Sequence, residues 1–161
     1  MNGRTASGMA ALVLAALTAL VASPGGAGAT PPPRVTGGGA GPLGSDRVQV
    51  QLTARGTDGI AAGRFNIVHH TPNGIFAHLA GDVDCLAVTG ATAVVTGTIT
   101  EGFDELGIDP IGERVSLVVR DQPVDSVDMD VSFVSGHAIP PCSAEPILTV
   151  VIDDGEFKVR P

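Results

Sequence analysis

Short runs of alternating apolar and polar residues recur from Asp46 to the end of the chain, and they constrain its fold more than any other feature. Val48, Val50 and Leu52 alternate with polar neighbours, and the cleanest example covers 127–133. Alternation with a period of two places the apolar side chains on one face of a β-strand. No stretch in this region keeps the 3.6-residue apolar period of a helix over about ten residues. The pattern therefore predicts an all-β domain.

Eight segments have this strand character, and turn residues separate them. They cover residues 48–52, 65–67, 75–88, 93–100, 114–120, 127–133, 148–152 and 156–160. About eight or nine short antiparallel strands in a domain of this size are typical of a β-sandwich or a small β-barrel. The strand pattern leaves both architectures open, with a slight preference for the sandwich.

Two dipeptides predict tight hairpin turns between neighbouring strands. Asn73-Gly74 and Asp154-Gly155 suit a type I′ turn, in which both central residues adopt a positive φ. The first turn would place His69 opposite His78, and a four-residue loop would instead make them diagonal neighbours on the same face. The second turn would join the last two predicted strands into a hairpin.

The beginning of the chain has the three parts of a secretory signal peptide. Arg4 supplies a positive charge, residues 9–21 are continuously apolar, and Ala27-Gly28-Ala29 provides small residues for signal peptidase. The apolar run is too short to span a bilayer as a helix. We therefore predict a signal peptide over 1–29, secretion, and no transmembrane anchor after its cleavage.

Residues 30–45 are rich in proline and glycine and lack any periodicity. Such a composition is typical of a flexible segment outside the folded core. The sequence therefore divides into a signal peptide over 1–29, a flexible segment over 30–45 and a β domain over 46–161.

The two cysteines, Cys85 and Cys142, both lie in the predicted β domain. In an oxidising compartment, one disulfide is the simplest interpretation of such a pair. Two free thiols are the alternative, and a metal site would need further ligands. Closing a loop of about 58 residues would stabilise the fold by about 4 kcal/mol in the chain-entropy model.

Charge and the scarcity of aromatic residues exclude several classes of partner. The chain has 9 basic and 17 acidic residues, a formal charge of −8, and such an acidic chain repels nucleic acid. It has neither Trp nor Tyr, so sites that stack sugars or bases on those rings are excluded. We expect four of the five phenylalanines to point into the core and Phe103 to lie in a loop. The four are Phe65, Phe76, Phe133 and Phe157.

His69, His78 and Asp82 form the most specific chemical hint in the sequence. Either hairpin register places the two imidazoles on one strand face, with Asp82 further along the same face. Imidazole and carboxylate ligands of this kind could bind zinc or copper. The alternative is that both histidines only make hydrogen bonds on a strand face, and no established zinc-binding spacing accompanies them.

Other patterns give weaker hints of chemistry. Asp121, Asp125, Asp128 and Asp130 form the densest acidic segment. Solvated carboxylates on an outer strand face are its simplest interpretation, and a hard cation held by Asp128 and Asp130 is the alternative. Ser135-Gly136-His137 is a loop sequence without the spacing of a nucleophile elbow. The glycine-rich stretches give no cofactor fingerprint, so no cofactor is predicted.

The strand sequences also resemble a known set of proteins. Residues 63–65 (GRF), 81–86 (GDVDCL), 93–100 (AVVTGTIT) and 157–160 (FKVR) carry the likeness. On these motifs the chain resembles small secreted actinobacterial β-rich proteins of unknown function. The resemblance implies export, β structure and a cysteine pair, and it implies no active site.

We therefore predict a secreted, non-enzymatic β domain that binds a ligand or a protein partner. Two alternatives remain open. One is a metal-dependent protein that uses His69 and His78. The other is a small hydrolase or isomerase whose site lies in a barrel cavity.

Overall fold

The computed structural model describes residues 30–57 and 60–161. The predicted signal peptide over 1–29 lies outside the described residues, as does the connection at 58–59. Residues Pro31–Pro161 form one unit made almost entirely of antiparallel β-strands, as the alternating pattern predicts. Within the described residues, no helix is long and apolar enough to cross a membrane.

Nine strands and one short helix make up the described part of the chain. The strands are β1 (Arg34–Leu43), β2 (Asp46–Thr57), β3 (Ile60–Thr71), β4 (Gly74–Thr89), β5 (Thr92–Asp104), β6 (Arg114–Arg120), β7 (Ser126–Val131), β8 (Leu148–Val151) and β9 (Asp154–Arg160). The helix α1 (Ser132–Ser135) directly follows β7. Two of the short turns use glycine at positive φ, Gly44 at 64° and Gly90 at 58°.

All nine strands belong to one sheet, in the order β8-β7-β6-β5-β4-β3-β2-β1-β9. Strands β1 to β8 pair in chain order, whereas β9 returns to pair with β1. The two edge strands are therefore consecutive in the chain and are joined by Ile152 and Asp153. The sheet curls into a half-barrel, so the all-β antiparallel prediction is confirmed. A single curled sheet corresponds to the barrel alternative and not to the two packed sheets of a sandwich.

The predicted hairpin at Asp154-Gly155 is wrong, because β8 and β9 lie at opposite edges of the sheet. Gly155 instead pairs with Gly39 of β1. A Cβ added at Gly155 would overlap the backbone of Gly38 and Gly39. This glycine therefore permits the close approach of two strands, and it does not form a turn between them.

The prediction of a flexible segment over 30–45 is also wrong. Most of this segment forms β1, which pairs with β2 on one side and with β9 on the other. A Cβ at Gly37 would overlap the carbonyl oxygen of Glu156, and a Cβ at Gly41 would overlap that of Val151. The glycines of β1 thus reflect a crowded position between neighbouring backbones.

Carboxylates close the free edge of β9 in place of a further strand. Asp125 accepts a hydrogen bond from the Phe157 N–H at 2.6 Å, and Asp121 accepts one from the Val159 N–H at 2.9 Å. Asp125 is buried, and so are Asp128 and Asp130 of β7. The prediction of solvated carboxylates is therefore wrong for these three residues. An edge strand whose N–H groups are already accepted cannot easily recruit a strand from another chain.

The predicted disulfide is confirmed, since Cys85 of β4 is bonded to Cys142 with Cα atoms 5.3 Å apart. Cys142 lies between α1 and β8, and its N–H donates to the Thr96 hydroxyl of β5 at 3.1 Å. The Ser116 hydroxyl of β6 donates to the carbonyl of Ser143 at 2.8 Å. These contacts hold the α1–β8 connection against the outer face of the sheet.

Apolar side chains from all nine strands meet inside the half-barrel and form its core. Phe65 and Phe157 are buried there, as predicted. Phe133 lies in α1 and not in a strand, and it packs against the edge of the core. Phe103 lies on β5, where it is 46% exposed, so its predicted position in a loop is wrong.

Candidate functional site

The structure separates the two histidines that were predicted to share a strand face. The pairing of β3 with β4 shifts register directly after His69. His69 therefore pairs with Ala77, whereas His78 pairs with Val68. Because a shift of one residue moves a side chain to the opposite face, His69 points into the half-barrel and His78 points outward. The predicted register is wrong.

The predicted zinc or copper site is not formed by its three residues. His78 lies on the outer face with its Nε2 atom 2.6 Å from Asn66 Oδ1. Asp82 lies on the same outer face, 4.0 Å from the guanidinium of Arg64, while His69 faces inward. Across 30–57 and 60–161, no group of three or more His, Cys, Asp or Glu side chains is placed to hold a metal ion.

His69 is held in place at one end of the half-barrel. Its Nε2 atom lies 2.9 Å from Oδ2 of Asp46, and both side chains are 25% exposed. The Ser45 hydroxyl donates to Oδ1 of Asp46 at 3.1 Å, so each oxygen of this carboxylate has a partner. The ring of Phe76 meets the imidazole edge-on, with centroids 5.2 Å apart. The carboxylate and the aromatic ring together fix the orientation of the imidazole.

An apolar cavity of about 240 Å³ opens beside His69. Its walls come from β1 to β5, β7, β8, α1 and the β5–β6 connection. The lining residues are Leu43, Val48, Ile67, His69, Phe76, Ala77, Leu79, Asp104, Leu106, Met129, Val131, Phe133, Val134 and Leu148. Only His69 and Asp104 among them carry polar side chains. A concave apolar site with a few convergent polar groups is the usual form of a small-molecule site.

The mouth of the cavity is flanked by apolar side chains that face the solvent. Leu106 of the β5–β6 connection is 68% exposed, and Val134 of α1 is 60% exposed. Exposed apolar side chains that border a concavity mark a binding site more often than isolated ones do. The mouth can therefore admit an apolar molecule without first exposing new apolar surface.

A larger concavity of about 640 Å³ lies on the outer face of the sheet. Gln51, Arg64, Asn66, His78 and Glu101 border it, and glycine backbone of β1 forms part of its floor. It is shallow and open to solvent, and three of these side chains already bind neighbours on the sheet. It offers a ligand less exclusion of water than the interior cavity does.

The Ser135–His137 loop contains no nucleophile and base in contact. The Ser135 hydroxyl donates to the carbonyl of Val131 at 3.3 Å. The Nε2 atom of His137 lies 2.8 Å from Oδ2 of Asp130, a carboxylate that is 1% exposed and that makes no hydrogen bond of regular geometry. This short contact joins the α1–β8 connection to β7.

Sequence reasoning missed two polar residues of the site, Asp104, which lines the cavity, and Asp46, which contacts His69. Val48 pairs with His69, so Asp46, two residues earlier in β2, is a diagonal neighbour of His69 on the same face. Asp104 pairs with Ala77, the residue opposite His69. Asp58-Gly59 between β2 and β3 is a type I′ turn signal, and the register that it sets would have identified Asp46. Asp104 depends on the register shift between β3 and β4, which no local pattern indicates.

Comparisons with known proteins add no assignment to this geometry. No protein-family model, no curated protein and no solved structure matches the chain.

Proposed function

We propose that the protein is a secreted binding protein that holds a small, largely apolar molecule in the cavity beside His69. The observation that carries this proposal is the lining of the cavity, in which twelve of fourteen side chains are apolar. Transfer of an apolar molecule from water into such a site is favourable in proportion to the apolar area that is buried.

The size of the cavity limits the ligand. An apolar cavity of roughly 150 Å³ in another protein holds one benzene molecule. The cavity here, at about 240 Å³, has room for a substituted single ring or a short branched chain. Long acyl chains and polycyclic molecules would have to extend past Leu106 and Val134 into solvent.

The lining favours binding over covalent catalysis. None of the lining residues is a Ser, Thr, Cys or Lys, and both cysteines of the chain form the disulfide. The hydrolase alternative therefore has no hydroxyl, thiol or amine nucleophile among the described residues that line this cavity. The isomerase alternative would have to rely on proton transfer by His69, which Asp46 holds in place.

Export is supported by the apolar run over 9–21 and by the disulfide. A bond between Cys85 and Cys142 fits an oxidising compartment, because cytosolic thiols are kept reduced. Intact-mass measurement of the protein from the culture medium tests this part of the proposal. A product that begins at Thr30 and contains one disulfide is expected, and a product that retains Met1 would contradict secretion by cleavage.

Titration of the purified protein with p-xylene, followed by NMR or calorimetry, tests the cavity. We expect saturable binding with a Kd of about 1 mM or tighter, which corresponds to about −4 kcal/mol. Ala77→Leu fills the cavity and should weaken binding at least tenfold. Ala80→Leu, three residues along the same strand on the outer face, is the matched control. Absence of saturable binding to the folded wild-type protein would refute the proposal.

A further inference from the structure

We infer that the ligand carries a hydrogen-bond donor, a hydroxyl or an amine, and that Nδ1 of His69 accepts it, so that phenols and small benzylic amines are the favoured class and carboxylates are rejected. This inference rests on the proposed function, since it concerns the polar end of a ligand in the same cavity.

Asp46 determines which ring nitrogen of His69 is available. A carboxylate only accepts hydrogen bonds, so the 2.9 Å contact with Asp46 requires a proton on Nε2. In the neutral imidazole the other nitrogen, Nδ1, then has a free lone pair. Among the described residues, Nδ1 makes no hydrogen bond to a protein atom. A ligand hydroxyl or amine can therefore donate a hydrogen bond to Nδ1, whereas a ligand group that only accepts hydrogen bonds has no partner there.

The second polar group of the cavity has the same preference. Asp104 pairs with Ala77, and Ala77 pairs with His69, so the two polar side chains flank Ala77 on the inner face of three adjacent strands. One oxygen of Asp104 accepts the Leu106 N–H at 2.6 Å. Neighbouring strands are about 4.8 Å apart, which separates the two acceptors by about 10 Å. A ligand at the mouth thus meets acceptors on both sides.

The carboxylates of the site disfavour anionic ligands. Asp104 lines the cavity and Asp46 contacts His69, and within the described residues neither forms an ion pair with a Lys or Arg side chain. A ligand carboxylate would lose its hydration and face these like charges in a partly buried site. A hydroxyl avoids this repulsion, and an ammonium would be attracted.

Four ligands of one shape test the inference in the purified protein. p-Xylene, p-cresol, 4-methylbenzylamine and p-toluate share a methyl-substituted ring and differ in the polar group. The chain has no Trp or Tyr, so the ultraviolet absorption and fluorescence of the ligands can be followed with little protein background. We expect p-toluate to bind most weakly, and p-cresol or the amine to gain about five- to tenfold from the hydrogen bond to His69.

His69→Phe removes the acceptor and keeps a ring of similar shape beside Phe76. The ratio of the p-cresol to the p-xylene dissociation constant should rise about five- to tenfold in this variant. His78→Phe, on the outer face, is the matched control and should leave the ratio unchanged. The p-xylene measurement and the ratio test different claims. Absence of p-xylene binding to the wild-type protein refutes the cavity as a binding site. Binding of p-xylene with an unaltered ratio in His69→Phe refutes only the role of His69.

Nitrogen-15 NMR of the histidine ring supplies a test that needs no variant. We expect the proton on Nε2 and a free Nδ1, with the Nδ1 resonance shifting on addition of p-cresol and not of p-xylene. A proton on Nδ1, or tighter binding of p-toluate than of p-cresol, would mean that His69 is a donor and would overturn the inference.

Discussion

Replacement of Asp125 by alanine tests how the sheet is closed. Asp125 lies between β6 and β7, yet its carboxylate accepts hydrogen bonds from the Phe157 N–H of β9 at 2.6 Å and from the Gln122 N–H at 3.0 Å. The Ile152 N–H between β8 and β9 donates to the carbonyl oxygen of the same residue at 2.9 Å. One residue thus joins the β6–β7 connection to the edge strand on the other side of the half-barrel.

The expected loss follows from the two side-chain hydrogen bonds. A hydrogen bond to a charged group contributes about 1.5–3 kcal/mol, so removal of two at the lower end of that range costs about 3 kcal/mol. Phe157 is fully buried, so its amide would not gain a hydrogen bond to water in place of the one to Asp125. For a domain of this size, about 3 kcal/mol corresponds to a fall in Tm of about 10 °C.

Urea and thermal denaturation followed by circular dichroism measure this loss, because the chain lacks the Trp and Tyr needed for intrinsic fluorescence. Asp125→Asn keeps one acceptor and should lose about half as much stability. Asp154→Ala removes an exposed carboxylate of β9 and is the control, with an effect within about 0.5 kcal/mol. A change of that small size in Asp125→Ala would refute the role of this carboxylate in closing the sheet.

Three further predictions follow from the fold. Gly41→Ala places a methyl group against the Val151 carbonyl and should destabilise the protein by about 2 kcal/mol or more in urea denaturation, whereas an unchanged midpoint would contradict the packing of β1. Removal of the disulfide by Cys85→Ala with Cys142→Ala should cost about 4 kcal/mol and speed amide exchange in the α1–β8 connection, and unaltered exchange would contradict its attachment by this bond. The hydrogen bond from Arg47, at 2.6 Å, lowers the pKa of the exposed Asp153 and raises the pKa of Arg47. A carboxylate with a lowered pKa stabilises the fold above its unfolded pKa of about 3.9, and this contribution disappears as the pH falls through the folded pKa. The Tm difference between wild type and Arg47→Ala should therefore be present at pH 6 and absent well below pH 3, and an equal difference at both would argue against this ion pair.

The strands of the domain could be predicted from the sequence where alternation is intact. The segment predicted over 114–120 coincides with β6, and the other predicted strands overlap β2 to β5 and β7 to β9. The first strand could not be found this way. Gly37, Gly39 and Gly41 have no side chains to alternate, and the strand is defined by its two neighbours in the sheet.

The site was harder to predict than the strands because it depends on register. One unpaired residue in β4, Phe76, is enough to separate His69 from His78, and no local pattern announces such a bulge. The partner of Asp125 in β9 is also set by pairing between segments that are distant in the sequence. A sequence indicates which residues can be buried, but long-range register decides which of them meet.

Intermolecular nuclear Overhauser effects between p-xylene and the protein show whether a ligand occupies the interior cavity. We expect contacts from the ligand to the methyl groups of Leu79, Ile67 and Met129, which line this cavity. We also expect these contacts to disappear in Ala77→Leu. Contacts confined to the outer face, around Val68 and Ala80, or no saturable contacts at all, would contradict binding in the interior cavity.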